Sequence, residues 1–200
     1  MQLKRLVTKM SDLNIMIVGV GGQGTLMASR LLGNVAMQLG YDVKVSEVHG
    51  MSQRGGSVVT YVKMGKKVYS PVIEKGEADI LLAFEKLEAL RWIDYLKQGG
   101  ALILNDQQID PMPVITGKAT YPEAIIQRFE NGGIRLYTID GLTIAEECGS
   151  TKAVNVVLIG LLAATTSIDR SIWENALEEV IPQKVIEVNK KAFNKGYLFS

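Results

Sequence analysis

The chain has 200 residues, of which 47% are hydrophobic and 22% charged, and its formal net charge is +1. That balance suits one α/β domain with a substantial core and supplies no global field to draw nucleic acid or an anionic membrane. A single cysteine, Cys148, excludes an internal disulfide and a self-contained four-thiolate iron–sulfur cluster, while a single histidine, His49, argues against an all-protein zinc site.

Residues 1–13 are expected to form an N-terminal extension. They carry Lys4, Arg5 and Lys9, but no apolar stretch of signal-peptide length follows before the first strand. The remainder, 14–200, reads as a single domain. Its longest apolar run, Ala153–Ala164, is interrupted by Asn155 and Gly160. The run is too short to span a bilayer and reads as a buried helix. A cytoplasmic protein is the expectation.

The first element is the most informative. Asn14–Thr25 reads N-I-M-I-V-G-V-G-G-Q-G-T. An apolar strand over Ile15–Val18 runs into Gly19-x-Gly21-x-x-Gly24, and a helical pattern through Leu26, Met27, Ser29, Arg30, Leu31 and Leu32 follows. Gly19 is expected to permit the tight turn, Gly21 to let a ligand or another chain approach the backbone, and Gly24 to let helix and strand pack closely. The free N–H groups at the helix start, beside Gly22 and Thr25, favour an anion. Taken alone this is a dinucleotide fingerprint. Gln23 lies between the second and third glycines, where its amide suits contact with a neighbour as well as with a phosphate.

Gly40 is placed to cap the first helix, and Tyr41–Val48 reads as a second strand, running parallel to the first. Glu47 at its end is the acid that a dinucleotide fold would offer to a ribose hydroxyl. A doubly wound domain would now enter a helix. Instead the chain reads His49-Gly-Met-Ser-Gln-Arg-Gly-Gly56, followed by a strand over Ser57–Met64, a turn at Gly65-Lys66-Lys67 and a short return strand over Val68–Ser70. A β-hairpin is therefore expected in place of the second crossover. From Val48 to Ile73 there is no Asp or Glu, whereas Arg54, Lys63, Lys66 and Lys67 are present. Arg54 sets a planar fork suited to carboxylate or phosphate beside Gly55 and Gly56. Lys66 and Lys67 read more simply as a solvated turn.

Ala78–Phe84 reads as a buried parallel strand, Glu85–Lys97 as an amphipathic helix closed by Gly99-Gly100, and Ala101–Asn105 as another buried strand. Asp110–Pro113 reads as loop or edge. Helices are expected over Pro122–Glu130, Gly141–Cys148, Ala153–Thr166, Ile172–Val180 and Gln183–Asn194, with a strand over Ile134–Ile139. The fold class is α/β: a Rossmann-like, mainly parallel sheet with helices on both faces and an inserted hairpin. Two glycine loops that follow the first two strands lie at the same end of such a sheet, where open α/β sheets bind ligands. His49 reads equally as a proton carrier or a hydrogen-bonded structural residue, Asn155 as a structural hydrogen bond, and Cys148 as packing.

No phosphate-binding loop with Gly-Lys-Ser/Thr, no thiamine-diphosphate motif, no cysteine cluster and no nucleophilic triad is present. Both glycine loops in order, with the helix Asn155-Val-Val-Leu-Ile-Gly160-Leu-Leu, resemble the gamma-type domain of the 2-oxoacid:ferredoxin oxidoreductases over about Leu13–Lys195. The fuller loop from His49 to Gly56 is most similar to that of the beta subunits of indolepyruvate-type members. The resemblance implies oxidative decarboxylation of an aryl pyruvate to its acyl-CoA, with ferredoxin as electron acceptor. It also implies a large alpha subunit carrying thiamine diphosphate and iron–sulfur clusters, and coenzyme A as cosubstrate. Gly19, Gly21, Gly22, Gln23, Gly24, Thr25, Glu47, His49, Ser52, Arg54, Gly55 and Gly56 are then the residues expected to face cofactor or partner. No catalytic residue and no metal ligand is expected within this chain. The docking face is expected around the two loops and the hairpin, part of which is available to a homodimer of the isolated chain. An independent NAD-binding oxidoreductase and a purely structural docking subunit are the alternative readings.

Overall fold

A computed structural model of the chain describes residues 12–49 and 55–199. Most of the expected N-terminal extension, and the loop residues Ser52 and Arg54, lie outside that range. Among the described residues six strands form one sheet. They are β1 (Leu13–Val20), β2 (Asp42–His49), β3 (Ser57–Gly65), β4 (Ala78–Ala83), β5 (Leu96–Asn105) and β6 (Arg135–Ile139), in the spatial order β2-β3-β1-β4-β5-β6. β1, β4, β5 and β6 pair in parallel, whereas β3 runs antiparallel to both β1 and β2. β1 and β2 therefore point the same way, as expected, but with β3 between them.

The helices are α1 (Thr25–Gln38), α2 (Lys86–Trp92), α3 (Met112–Ile115), α4 (Ile125–Asn131), α5 (Gly141–Glu147), α6 (Val154–Thr165), α7 (Arg170–Val180) and α8 (Ile186–Tyr197). The two-residue period of the strands divides the core between them. Ile15 and Ile17 of β1 and Ile80 and Leu82 of β4 face α1 and α5–α8, while Met16, Val18, Leu81 and Ala83 face α2 and α4. On α1 the buried residues Ala28, Leu31, Leu32, Val35 and Ala36 recur at helical spacing. Gly40, at φ +73°, ends that helix as expected.

α6 is buried nearly all round, as its uniform apolarity foretold, because α8 covers its outer side. The two helices cross on glycine. A Cβ on Gly160 would lie 2.9 Å from the Tyr197 amide nitrogen, and one on Gly196 would lie 2.9 Å from the Val157 carbonyl carbon. No helix among the described residues is long and apolar enough to cross a membrane.

Three local expectations are corrected. The hairpin exists, but its two arms are β2 and β3, paired from Asp42–Gly65 to His49–Val58, with the second glycine loop at its tip. Val68–Ser70 forms no return strand. Instead the Asp42 carboxylate accepts from the Val68 N–H at 2.9 Å, and the Lys67 ammonium sits over the Tyr69 ring. Those residues follow Gly65 at the amino end of β1, opposite to the glycine loops, so the lysine turn does not extend the loop face. Finally, the helix expected over Glu85–Lys97 stops at Trp92 and, after one turn of 3-10 helix, gives way to β5. Leu96 pairs with Ala78 and Ala101 with Ile80, so the intervening residues bulge out. Gly99, at φ +78°, makes the bulge possible, which is why its glycines sit inside a strand rather than after a helix.

Candidate functional site

The two glycine loops meet. Val20, the last residue of β1, stands opposite Ser57, the first of β3. From there the Gly21 N–H donates to the Gly56 carbonyl at 2.9 Å, and the Gly55 N–H donates to the Gly21 carbonyl at 3.5 Å. The expected close approach at Gly21 is thus made by the chain's own second loop. The turn is built from Gly22 and Gly24, which take φ +103° and +88°. Gly19 does another job, since a Cβ there would come within 2.9 Å of Gln23 Oε1 and 3.0 Å of Phe84 Cβ. Gly24 makes room for α6 rather than for its own strand: a Cβ would lie 2.7 Å from Asn155 Nδ2.

Gln23 is turned inward. Its Oε1 accepts from the Val20 N–H at 2.7 Å, and its Nε2 donates to the Phe84 carbonyl at 3.1 Å and to Gln107 Oε1 at 3.0 Å. The side chain of Asn105, fully buried at the end of β5, donates to the same two acceptors and accepts from the Gly141 N–H at 2.9 Å. One polar tier therefore ties the first glycine turn to the ends of β4 and β5 and to the start of α5. Asn155 adds a bond from Nδ2 to the Gly24 carbonyl at 3.4 Å, in line with the structural role expected of it. Thr25 opens α1 and is buried.

Sequence inspection missed a second polar group on the α2 side. Glu85 caps α2, accepting from the Glu88 N–H at 2.9 Å, the Ile109 N–H at 3.2 Å and the Tyr121 hydroxyl. Burial, then the bond to Glu85, pushes the Tyr121 phenol well above its ordinary range. Glu88 accepts from the Ser57 hydroxyl and from Arg91. An acid directly after the apolar run ending at Phe84 signals a helix cap, but nothing in the sequence tells that Glu85 and Glu88 are buried.

The remaining expected residues are dispersed. Glu47 lies on edge strand β2, opposite Thr60 of β3. A dinucleotide fold sets its second strand next to its first. Here β3 intervenes, which moves Glu47 outward by a strand spacing of about 4.8 Å. His49 ends β2 opposite Val58. Cys148 packs in the larger core. Among the described residues no group of three His, Cys, Asp or Glu side chains is placed to hold a metal. Beside the first turn, Met27, Asn155, Ile181 and Val185 line an apolar groove of about 460 Å³, with Lys152 also in its wall.

The pattern of the pyruvate ferredoxin/flavodoxin oxidoreductases matches this sequence over residues 14–199. The chain belongs to that family. Within it, the indolepyruvate oxidoreductase subunit IorB of Thermococcus kodakarensis is 45% identical, the alignment covering 94% of this chain and 95% of the relative. IorB of Pyrococcus horikoshii is also 45% identical over the same shares. The fold is that of the keto/oxoacid ferredoxin oxidoreductase gamma subunit from Geobacter sulfurreducens, at TM-score 0.70 and 23% identity, covering 92% of this chain and 96% of that one. The chain is thus a small gamma-type subunit of the 2-oxoacid:ferredoxin oxidoreductase class, and the mixed sheet with its interposed β3 is this family's α/β fold rather than a dinucleotide-binding one.

Proposed function

We propose that this chain is the non-cofactor subunit of an enzyme that oxidatively decarboxylates an aryl pyruvate, indolepyruvate first among them. The 2-oxoacid and coenzyme A give the acyl-CoA, carbon dioxide, one proton and two electrons, and the electrons pass to ferredoxin. What carries the reading is the relationship to indolepyruvate oxidoreductase subunits along nearly the whole chain. A large partner subunit holds thiamine diphosphate and the iron–sulfur clusters. Thiamine diphosphate stabilises the carbanion left by decarboxylation. A four-thiolate cluster does not fit a chain whose one cysteine is buried in the core. The complex works in the cytoplasm, where ferredoxin is reduced.

This chain contributes a shaped surface at the carboxyl ends of β1 and β4. Part of the first glycine turn is engaged within the chain, the Gly21 N–H by the Gly56 carbonyl, the Gln23 N–H by the Val20 carbonyl and the Gly24 carbonyl by Asn155, which supports a docking role there. The engaged Gly21 N–H and the displaced Glu47 also weigh against a nicotinamide cofactor. Arg54 is the residue proposed to meet an anionic group, because its fork matches a carboxylate or phosphate.

Reconstitution tests the reading. The chain alone, given indolepyruvate, coenzyme A, thiamine diphosphate and a viologen acceptor, should reduce nothing, and addition of the large subunit should restore turnover. Purified from its native cell, the chain should arrive in a brown, iron-rich complex. Turnover by the chain alone, or a colourless chain that binds nicotinamide cofactor, would overturn the proposal. Gel filtration of the isolated chain reports whether the exposed loop face drives homodimerisation.

A further inference from the structure

Glu88 is a carboxylate only 2% exposed, in the first turn of α2. Removing a charge from water is costly unless donors replace the water. Two donors do so: the Ser57 hydroxyl bonds Oε2, and Arg91 Nη1 bonds Oε1 at 2.6 Å. Ser57 directly follows Gly55-Gly56. It also shares the strand face of Val59, which packs on the α2 side of the sheet. The stem of the second glycine loop is therefore held twice. In the plane of the sheet the backbones of Gly21, Gly55 and Gly56 join, continuing the β1–β3 ladder. On the α2 side Glu88 holds Ser57. Glycine pairs have little stiffness of their own, so a backbone joint between Gly21 and Gly55–Gly56, at the end of the β1–β3 ladder, is held more firmly where a side chain also fixes Ser57.

We propose that Glu88 is a positioning residue for this joint: it clamps Ser57, and Arg91 keeps the carboxylate aimed, so that Gly55–Gly56 and the first glycine turn keep one fixed arrangement at the carboxyl end of β1. This rests on the subunit role proposed above. Glu88 touches no substrate and acts through Ser57.

The test uses the reconstituted complex with the parent chain, Ser57→Ala, Ser57→Thr and Glu88→Gln. Amide hydrogen exchange at Gly21 and Gly55 reads the joint, and kcat and KM for the 2-oxoacid and coenzyme A read its consequence. Ser57→Ala and Glu88→Gln should each speed exchange at both glycines by about tenfold or more, as expected for loss of one bond to a charged group, and raise one KM by about three- to tenfold, with kcat little changed. Ser57→Thr, which keeps the hydroxyl, should behave like the parent. Unchanged exchange in Ser57→Ala and Glu88→Gln would overturn the clamp. So would failure of Ser57→Thr to rescue, or faster exchange with both KM values unmoved. If the parent chain does not restore turnover, the subunit reading falls, and the exchange comparison still decides whether the clamp exists.

Discussion

Gln23 and Gln107 meet side chain to side chain at 3.0 Å, joining the glycine turn after β1 to the segment after β5 across the end of β4. With the bonds to Val20 and Phe84 the Gln23 amide acts as a keystone for the turn. Gln23→Ala should lose about 1–3 kcal/mol, because partly buried backbone groups lose their partners. Gln23→Glu should recover only part of that, since it keeps the acceptor for Val20 but neither donor. Urea unfolding should show lower midpoints at an unchanged slope. A parent-like midpoint for Gln23→Ala would mean that the turn holds its shape without the amide.

Gly160 and Gly196 make a second test. Alanine is the better helix former by about 1 kcal/mol, so either substitution would stabilise an isolated helix. Here each new Cβ meets backbone of the facing helix, which cannot rotate away. Gly160→Ala and Gly196→Ala are each expected to lower the melting temperature, with a net loss of about 1–3 kcal/mol from overpacking. A rise in melting temperature would show that α6 and α8 separate freely.

Asp140 caps α5. The Thr143 N–H and then the Thr143 hydroxyl bond its carboxylate and hold its pKa below the ordinary value. A folded-state pKa lower than the unfolded one stabilises the protein fully above the unfolded value of about 3.9, and the benefit is lost as pH falls through the folded value. Asp140→Ala should therefore cost about 1 kcal/mol at neutral pH. Below about pH 4 the gap to the parent should close. Denaturant curves at neutral and acid pH would show it. A gap independent of pH would mean that the charged cap is not the cause.

Arg54 tests the ligand-facing part of the proposal. If its planar fork matters and not merely its charge, Arg54→Lys should be impaired along with Arg54→Ala in the reconstituted complex. The expected loss is about ten- to a hundredfold at limiting substrate, equivalent to one charge-assisted hydrogen bond. A raised KM for coenzyme A alone assigns the guanidinium to the acyl acceptor, one for the 2-oxoacid alone assigns it to the substrate, and failure to copurify assigns it to the partner subunit. Full assembly and parent-like turnover of Arg54→Ala would remove Arg54 from the site.

Much of this protein is local in origin and so legible in its sequence. The strand–turn–helix unit at Leu13–Gln38, the glycine stop at Gly40 and the buried helix α6 follow from hydrophobic period and glycine placement, which act within a few residues. The order of both glycine loops was enough to indicate the family. Strand order was not legible: Ser57–Gly65 pairs equally well in principle with a strand before it or after it, and long-range backbone pairing with β1 and β2 decided between them. The same holds for the polar groups. Glu85 and Glu88 look like ordinary surface residues, and Gln23 gives no sign of which neighbour it meets, because their partners lie far away in sequence, at Tyr121, Ser57 and Gln107. The residue types at the loops are local; which of their hydrogen bonds remain free for a partner is decided by what the fold packs against them.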